Sequence, residues 1–418
     1  MNKQGKKKNA SSAGARARGQ SNQRPSSCCG KVRPASGVDA GPLAWFNDMV
    51  DHCLDYAAAQ KKQGKHIVGL TCEYTPRELI LAAGGIPVCL CGGDEGMIPA
   101  AEEFLPSNLC PLIKSTFGYS VRKENPFLEL AELVITETTC DGKKKMYELM
   151  AGNRRMYVLE LTQKPDDPDA LAHWIAELRK LGGVLAEQFG VRITAGKIRD
   201  AIALMNRERT LRRALAELMK AEAPPLTGCE LLNMKSIIAG IPADLEQYAK
   251  ALRVLPGRKL DPPASERIRV LLTGVPMPHG AERVIKIIEN NGGLVVCQEN
   301  CTGIKPILED VDAGAGDLML ALAEKYFHLP CSVMTPNRRR LDLLRRLVAE
   351  YRPQCIVEVI WQACLTYDVE SFFVRRLAEE ELGRPYLRIE TDYSPSDSAR
   401  IGMRIQALFE TIKEHRTK

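Results

Sequence analysis

The sequence predicts an α/β protein with two doubly wound parallel-sheet lobes joined by a helical segment. Short apolar runs of strand composition alternate with helical stretches between residues 66 and 161. The alternation stops for a mostly helical stretch from about 168 to 252, then resumes toward the C-terminus. Such alternation marks parallel sheets, because two parallel strands are joined by a crossover long enough to hold a helix. At 418 residues the chain is too long for one ordinary domain, and two or three are expected.

"GPLAWFNDMVDHCLDYAAAQKKQ" (41–63) reads as an amphipathic helix. "HIVGLT" (66–71), "IPVCLC" (86–91), "LVITET" (133–138) and "MYVLEL" (156–161) read as strands. Helices are expected between them at 76–84, with proline in the first turn, at 107–121 and at 143–151. The helical stretch has short breaks at "APPLTG" and "GIP", and "DPPASE" (261–266) is the clearest linker. The second lobe offers strands at 267–274, 293–298, 355–361 and 386–391. Its helices are expected near 280–290, 314–327, 338–351, 367–382 and 396–415. The domain reading is a basic tail (1–40), an N-terminal lobe (41–165), a helical segment (166–262) and a C-terminal lobe (263–418).

The formal charge of +6 arises in the tail, where residues 1–38 hold nine Lys and Arg and no acid. The remainder carries 49 basic against 52 acidic residues, so it has no global cationic field and specific nucleic-acid binding is not expected. The tail composition is that of a segment that does not fold alone. No run of apolar residues is long enough to span a membrane, and the first twenty residues lack the apolar core of a secretory signal. A cytoplasmic location is expected.

Fourteen cysteines in such a chain point to metal binding, catalysis or burial rather than to a disulfide framework. Ligands of open α/β sheets bind beyond the carboxyl ends of the strands. Cys72, Cys140, Cys301 and Cys364 each follow a predicted strand, two in each lobe. Cys110 and Cys331 stand beside proline near predicted helix starts, where exposed amides favour a thiolate. Cys53, Cys89, Cys229, Cys297 and Cys355 read as small core residues, and Cys91 fits either role. Cys28 and Cys29 lie in the tail. No C-x-x-C pair of a structural zinc site is present. Widely spaced thiols suit an iron–sulfur cluster, in which inorganic sulfide supplies much of the coordination. No Walker loop, G-x-G-x-x-G turn or G-x-S-x-G elbow occurs, so no nucleotide site is expected on this chain. Glu73, His279 and Glu299, near predicted strand ends, are candidate proton donors.

"CEYTPRELILAAGGIPV", "LPSNLCPLIKSTFGY", "TETTCDGKKKMYELMA", "ENCTG" and "PCSVMTPNRR" together resemble the 2-hydroxyacyl-CoA dehydratase and benzoyl-CoA reductase subunit family over residues 42–415. The resemblance implies two α/β lobes around a cysteine-ligated cluster. The usual 4Fe–4S subunit of that family is similar at Cys110, Cys140 and Cys364. The additional Cys72, Cys301 and Cys331 resemble the double-cubane branch, in which two cubanes share a sulfide as an 8Fe–9S unit. That branch implies a separate ATP-hydrolysing iron–sulfur activator, a small-molecule substrate and a homodimer. Grouped by lobe, the ligand sets are Cys72, Cys110, Cys140 and Cys301, Cys331, Cys364; the dehydratase resemblance instead places Cys110, Cys140 and Cys364 on one cubane. The alternative function is a dehydratase or aryl-CoA reductase subunit with one 4Fe–4S cluster.

Overall fold

A computed structural model of the chain describes residues 41–417. The readings for the tail, with Cys28 and Cys29, lie outside the described residues.

Two four-stranded sheets form, both wholly parallel. The first contains β1 (Ile67–Leu70), β2 (Ile86–Cys89), β3 (Leu133–Glu137) and β4 (Met156–Leu159) in the order β2-β1-β3-β4. The second contains β5 (Ile268–Gly274), β6 (Gly293–Glu299), β7 (Cys355–Trp361) and β8 (Tyr386–Thr391) in the order β6-β5-β7-β8. Each lobe therefore reverses its strand order once, between β1 and β3 and between β5 and β7, which opens a crevice at the carboxyl ends. Strands β3, β6 and β7 are buried along their whole length, as expected where helices cover both faces of a sheet.

The expected 41–63 helix is two, Gly41–Asn47 and Met49–Lys62. The connecting segment resolves into Pro168–Phe189, Ala195–Glu217, Gly228–Asn233 and Pro242–Val254. Its unexpected break falls at Gly190, whose φ of +62° ends the first of these helices in the left-handed conformation. Short helices at Ile98–Glu102 and Pro126–Leu130 were not expected. The helix after β7, Leu365–Arg376, passes into a π-helical turn at Leu377–Glu381.

Two segments carry packing from one lobe to the other. Helix Pro111–Arg122, inserted between β2 and β3, shares an apolar cluster with Val270, Val359 and Trp361 of the second sheet. Conversely, residues 311–334, inserted between β6 and β7, share a cluster with Val68, Ile135 and Trp174. The lobes touch directly at Gly93, where a Cβ would stand 2.3 Å from the His279 carbonyl oxygen, so only glycine permits this approach. Beside it the Tyr393 hydroxyl donates to the Gly92 carbonyl at 3.0 Å.

Candidate metal centre

The six thiols singled out in the sequence fall into two neighbouring groups, each drawing on both lobes. Cys72 interacts electrostatically with Cys301 and Cys331, and Cys110 with Cys140 and Cys364. Apolar packing divides them the same way: Cys72 and Cys331 border one core cluster, while Cys110, Cys140 and Cys364 belong to or border another. Cys140 also feels Cys331, so the groups adjoin. The lobe-by-lobe grouping is therefore corrected. Segments 111–122 and 311–334 cross between lobes, and they bring Cys110 to the C-terminal side and Cys331 to the N-terminal side.

The groups are held differently. Cys110, Cys140 and Cys364 are each the N-cap of a helix, namely Pro111–Arg122, Asp141–Met150 and Leu365–Arg376. The carbonyls of all three accept the first helical bond at 3.0 Å, from Lys114, Lys144 and Asp368. Three positive helix ends thus converge on one thiol group, an arrangement that favours negative charge. Cys72, Cys301 and Cys331 lie in loops. Cys331 is not near a helix start: Pro336 and Asn337 intervene, and the next helix begins at Arg338.

The hydrogen bond from Cys364 holds the Cys110 thiol below its ordinary range, helped by the Leu112 and Ile113 amides. The same bond, with burial, pushes Cys364 up. Burial raises Cys140 and carries Cys72 well above the usual value and Cys301 to about 12. Such thiols stay protonated unless a metal takes the sulfur. Soft donors in two close groups, with helix ends beside one of them, fit an iron–sulfur centre.

Two ammonium groups border the site. Lys143 Nζ donates to the Thr71 carbonyl at 2.9 Å. Burial acts against its charge, whereas ionisation of the Tyr147 phenol or of the Cys72, Cys91 or Cys140 thiols would raise it. Lys235 Nζ donates to Glu73 at 2.8 Å and to the Cys301 carbonyl at 2.8 Å. Cys72, Cys91, Cys301, Lys143, Lys235 and His279 line a cavity of about 100 Å³.

The three proposed acids are placed unequally. Glu73 is clamped between Arg77 and Lys235, both at 2.8 Å; burial opposes ionisation, but these cations hold the carboxyl far below the usual range. An anion so held has no proton to give. Glu299 is fully buried against Lys305 at 2.8 Å and Arg340 at 3.3 Å, a structural network. His279 lines the cavity, 3.5 Å from Glu282. A fourth acid was missed. Glu137, at the end of β3, is fully buried and accepts a hydrogen bond from Thr75, and its Oε2 has no hydrogen-bond partner among the described residues. Burial pushes its carboxyl up to about 7, against the pull of Thr75 and Lys143. Its signal was available in "TETTCDGKKK", three residues before Cys140.

Cys53, Cys229, Cys297 and Cys355 are buried as expected. Cys89 is not: it is part-exposed, lines the cavity and is lowered to about 6 by a hydrogen bond from Cys91, against burial.

Against this geometry, residues 72–412 match the family model of the 2-hydroxyglutaryl-CoA dehydratase D-component. The chain belongs to this family. YjiM of Escherichia coli (strain K12), whose name marks it as a candidate dehydratase subunit, is 40% identical over 84% of this chain and 93% of its own length. The (R)-phenyllactyl-CoA dehydratase beta subunit of Clostridium sporogenes is 24% identical over 88% of this chain and 97% of its own. A benzoyl-CoA reductase subunit of Thauera aromatica is 23% identical over 74% and 82%. The matched region of this family member includes all six thiols, and its relatives are subunits of enzymes. No helix among the described residues is long and apolar enough to cross a membrane.

Proposed function

We propose that the chain is an iron–sulfur reductase component that holds an 8Fe–9S double cubane on Cys72, Cys301 and Cys331 together with Cys110, Cys140 and Cys364. A separate ATP-hydrolysing iron–sulfur activator supplies low-potential electrons, and a small molecule is reduced. The observation that carries this reading is the convergence of six thiols as two adjoining groups of three. When bound, the cluster would supply one-electron reduction at low potential. The chain's own residues do the rest. Helix ends at Cys110, Cys140 and Cys364, with the Lys143 ammonium, hold negative charge in a buried site. Glu137 keeps a proton near Cys72, and His279 stands at the cavity. Leu365, Val369 and Phe372 are 72%, 71% and 59% exposed at helical spacing directly after Cys364, which supports a protein partner, the activator or a second copy in a homodimer.

The names of the relatives favour a second reading, a 2-hydroxyacyl-CoA dehydratase or aryl-CoA reductase subunit with one 4Fe–4S cluster on Cys110, Cys140 and Cys364. Iron and acid-labile sulfide per chain, measured on protein purified without oxygen, separate the two. About eight irons with slightly more sulfide supports the double cubane, and about four supports the dehydratase-type subunit. No iron after anaerobic reconstitution removes both.

A further inference from the structure

Away from the thiol site, His52, Cys53 and Asp244 bring an imidazole nitrogen, a thiol and a carboxylate oxygen within 4.8 Å of one another. His52 and Cys53 are neighbours on helix Met49–Lys62, and Asp244 lies in the first turn of Pro242–Val254. Cys53 is fully buried, Asp244 is 2% exposed and the His52 side chain 16%. His52 Nε2 pairs with Asp244 Oδ1 at 3.1 Å; burial opposes the imidazolium, but Asp244 and Cys53 raise it to about 9, so an ion would have to displace that proton. Apart from that ion pair, neither imidazole nitrogen makes an aligned hydrogen bond, and Asp244 Oδ2 is buried with no hydrogen-bond partner among the described residues. Buried polar atoms left in this state call for a reason, and an ion is one.

The surroundings hold these groups in place. Trp45 stacks on His52 at 4.5 Å between ring centroids, and its Nε1 donates to Asp244 Oδ1 at 2.9 Å, a bond of the kind that orients a metal-binding carboxylate. Ser236 Oγ stands 3.3 Å from Cys53 Sγ. Ligands around a tetrahedral zinc stand roughly 3.3–3.8 Å apart, given bonds of about 2.0–2.3 Å, so shifts on the order of 1 Å would bring all three donors onto one ion.

We propose that His52, Cys53 and Asp244 bind one divalent ion of the zinc type, with Ser236 Oγ or a water in the fourth position. Nitrogen, sulfur and oxygen donors together suit zinc rather than magnesium or calcium. The ion would tie the helix Met49–Lys62 to the segment that forms one wall of the thiol cavity. Ser236 follows Lys235, which reaches Glu73 and the Cys301 carbonyl, and Ile237 accepts from the Cys89 amide at 2.8 Å. The site would be structural, because Cys53 is closed to any substrate.

The test uses the full chain with its iron intact, exposed to zinc chloride and then dialysed against EDTA, with zinc and iron counted per chain. The expected result is about one retained zinc, lost in Cys53→Ala and in His52→Gln with iron unchanged. Zinc bound at the six thiols of the metal centre would survive both substitutions, so retention in the variants overturns the proposal, as does absence of zinc in the unsubstituted chain. His52→Gln, at a part-exposed position, carries the test if Cys53→Ala does not fold.

Discussion

Cys110 and Cys364, from opposite lobes, stand close enough for each thiol to shift the other, Cys110 down and Cys364 up. Each caps a helix, so the pair sits between two positive helix ends. Cys110→Ala or Cys364→Ala is expected to remove about four of about eight irons per chain. Cys355→Ala, within buried β7, should leave iron content unchanged. Equal losses from all three would mean that the effect is on folding rather than on a metal centre.

Arg340 is fully buried against Glu299, Glu358 and Glu370 at 3.3, 2.9 and 2.5 Å. Removing the cation strands three carboxylates without their partner. Arg340→Met should lower stability by about 3–5 kcal/mol, the usual cost of breaking a buried ion pair, measured by denaturant unfolding. A loss within the ordinary range of surface substitutions would show that Lys305 and the hydroxyls suffice.

Glu73 and Glu137 should separate in kinetics. Glu137→Gln is predicted to lower turnover roughly 10²–10⁴-fold, the range of a lost proton donor. In the unsubstituted protein the Glu137 carboxyl is protonated below pH about 7, so activity falls as pH rises through that value, and the variant lacks this limb. Glu73→Gln removes the charge partner of Arg77 and Lys235, so its main effect should be on thermal stability. A pH profile unchanged by Glu137→Gln would remove the donor assignment.

Glu289 offers a test remote from the thiols. Its carboxylate accepts from the amides of Gly228, Cys229 and Val295, yet burial, the largest influence, raises it from 4.5 to about 7. The folded state then binds more protons than the unfolded chain between those values. Stability from this group is full below pH 4.5 and is lost as pH rises through about 7, with a slope of up to about 1.4 kcal/mol per unit. Glu289→Gln should flatten that slope, read from unfolding midpoints across the window. A slope identical in both proteins would assign it to another group.

Much of the fold was legible because its strands are apolar runs between turn residues. The runs at 355–361 and 386–391 coincide with β7 and β8 residue for residue. The six thiols that the fold brings together are those singled out by their places after strands or beside proline. Their grouping was not legible from local pattern, because it depends on segments 111–122 and 311–334 packing on the opposite lobe; only the family resemblance, which sets Cys110, Cys140 and Cys364 together, agrees with it. Glu73 was misjudged for a related reason. Arg77 is its visible neighbour four residues on, but Lys235 arrives from a distant helix end. Cys89 read as core filler because the strand was expected to run on to residue 91; it ends at Cys89, which leaves the thiol free to face the cavity.

Each thiol group takes members from both halves of the chain, and this sets an order of assembly. Neither group exists until the second lobe has been synthesised and docked, so any metal must be inserted late, into a nearly finished protein. Once in place it would act as a rivet across the Gly93–His279 seam. Separately expressed halves would each hold parts of both groups and complete neither.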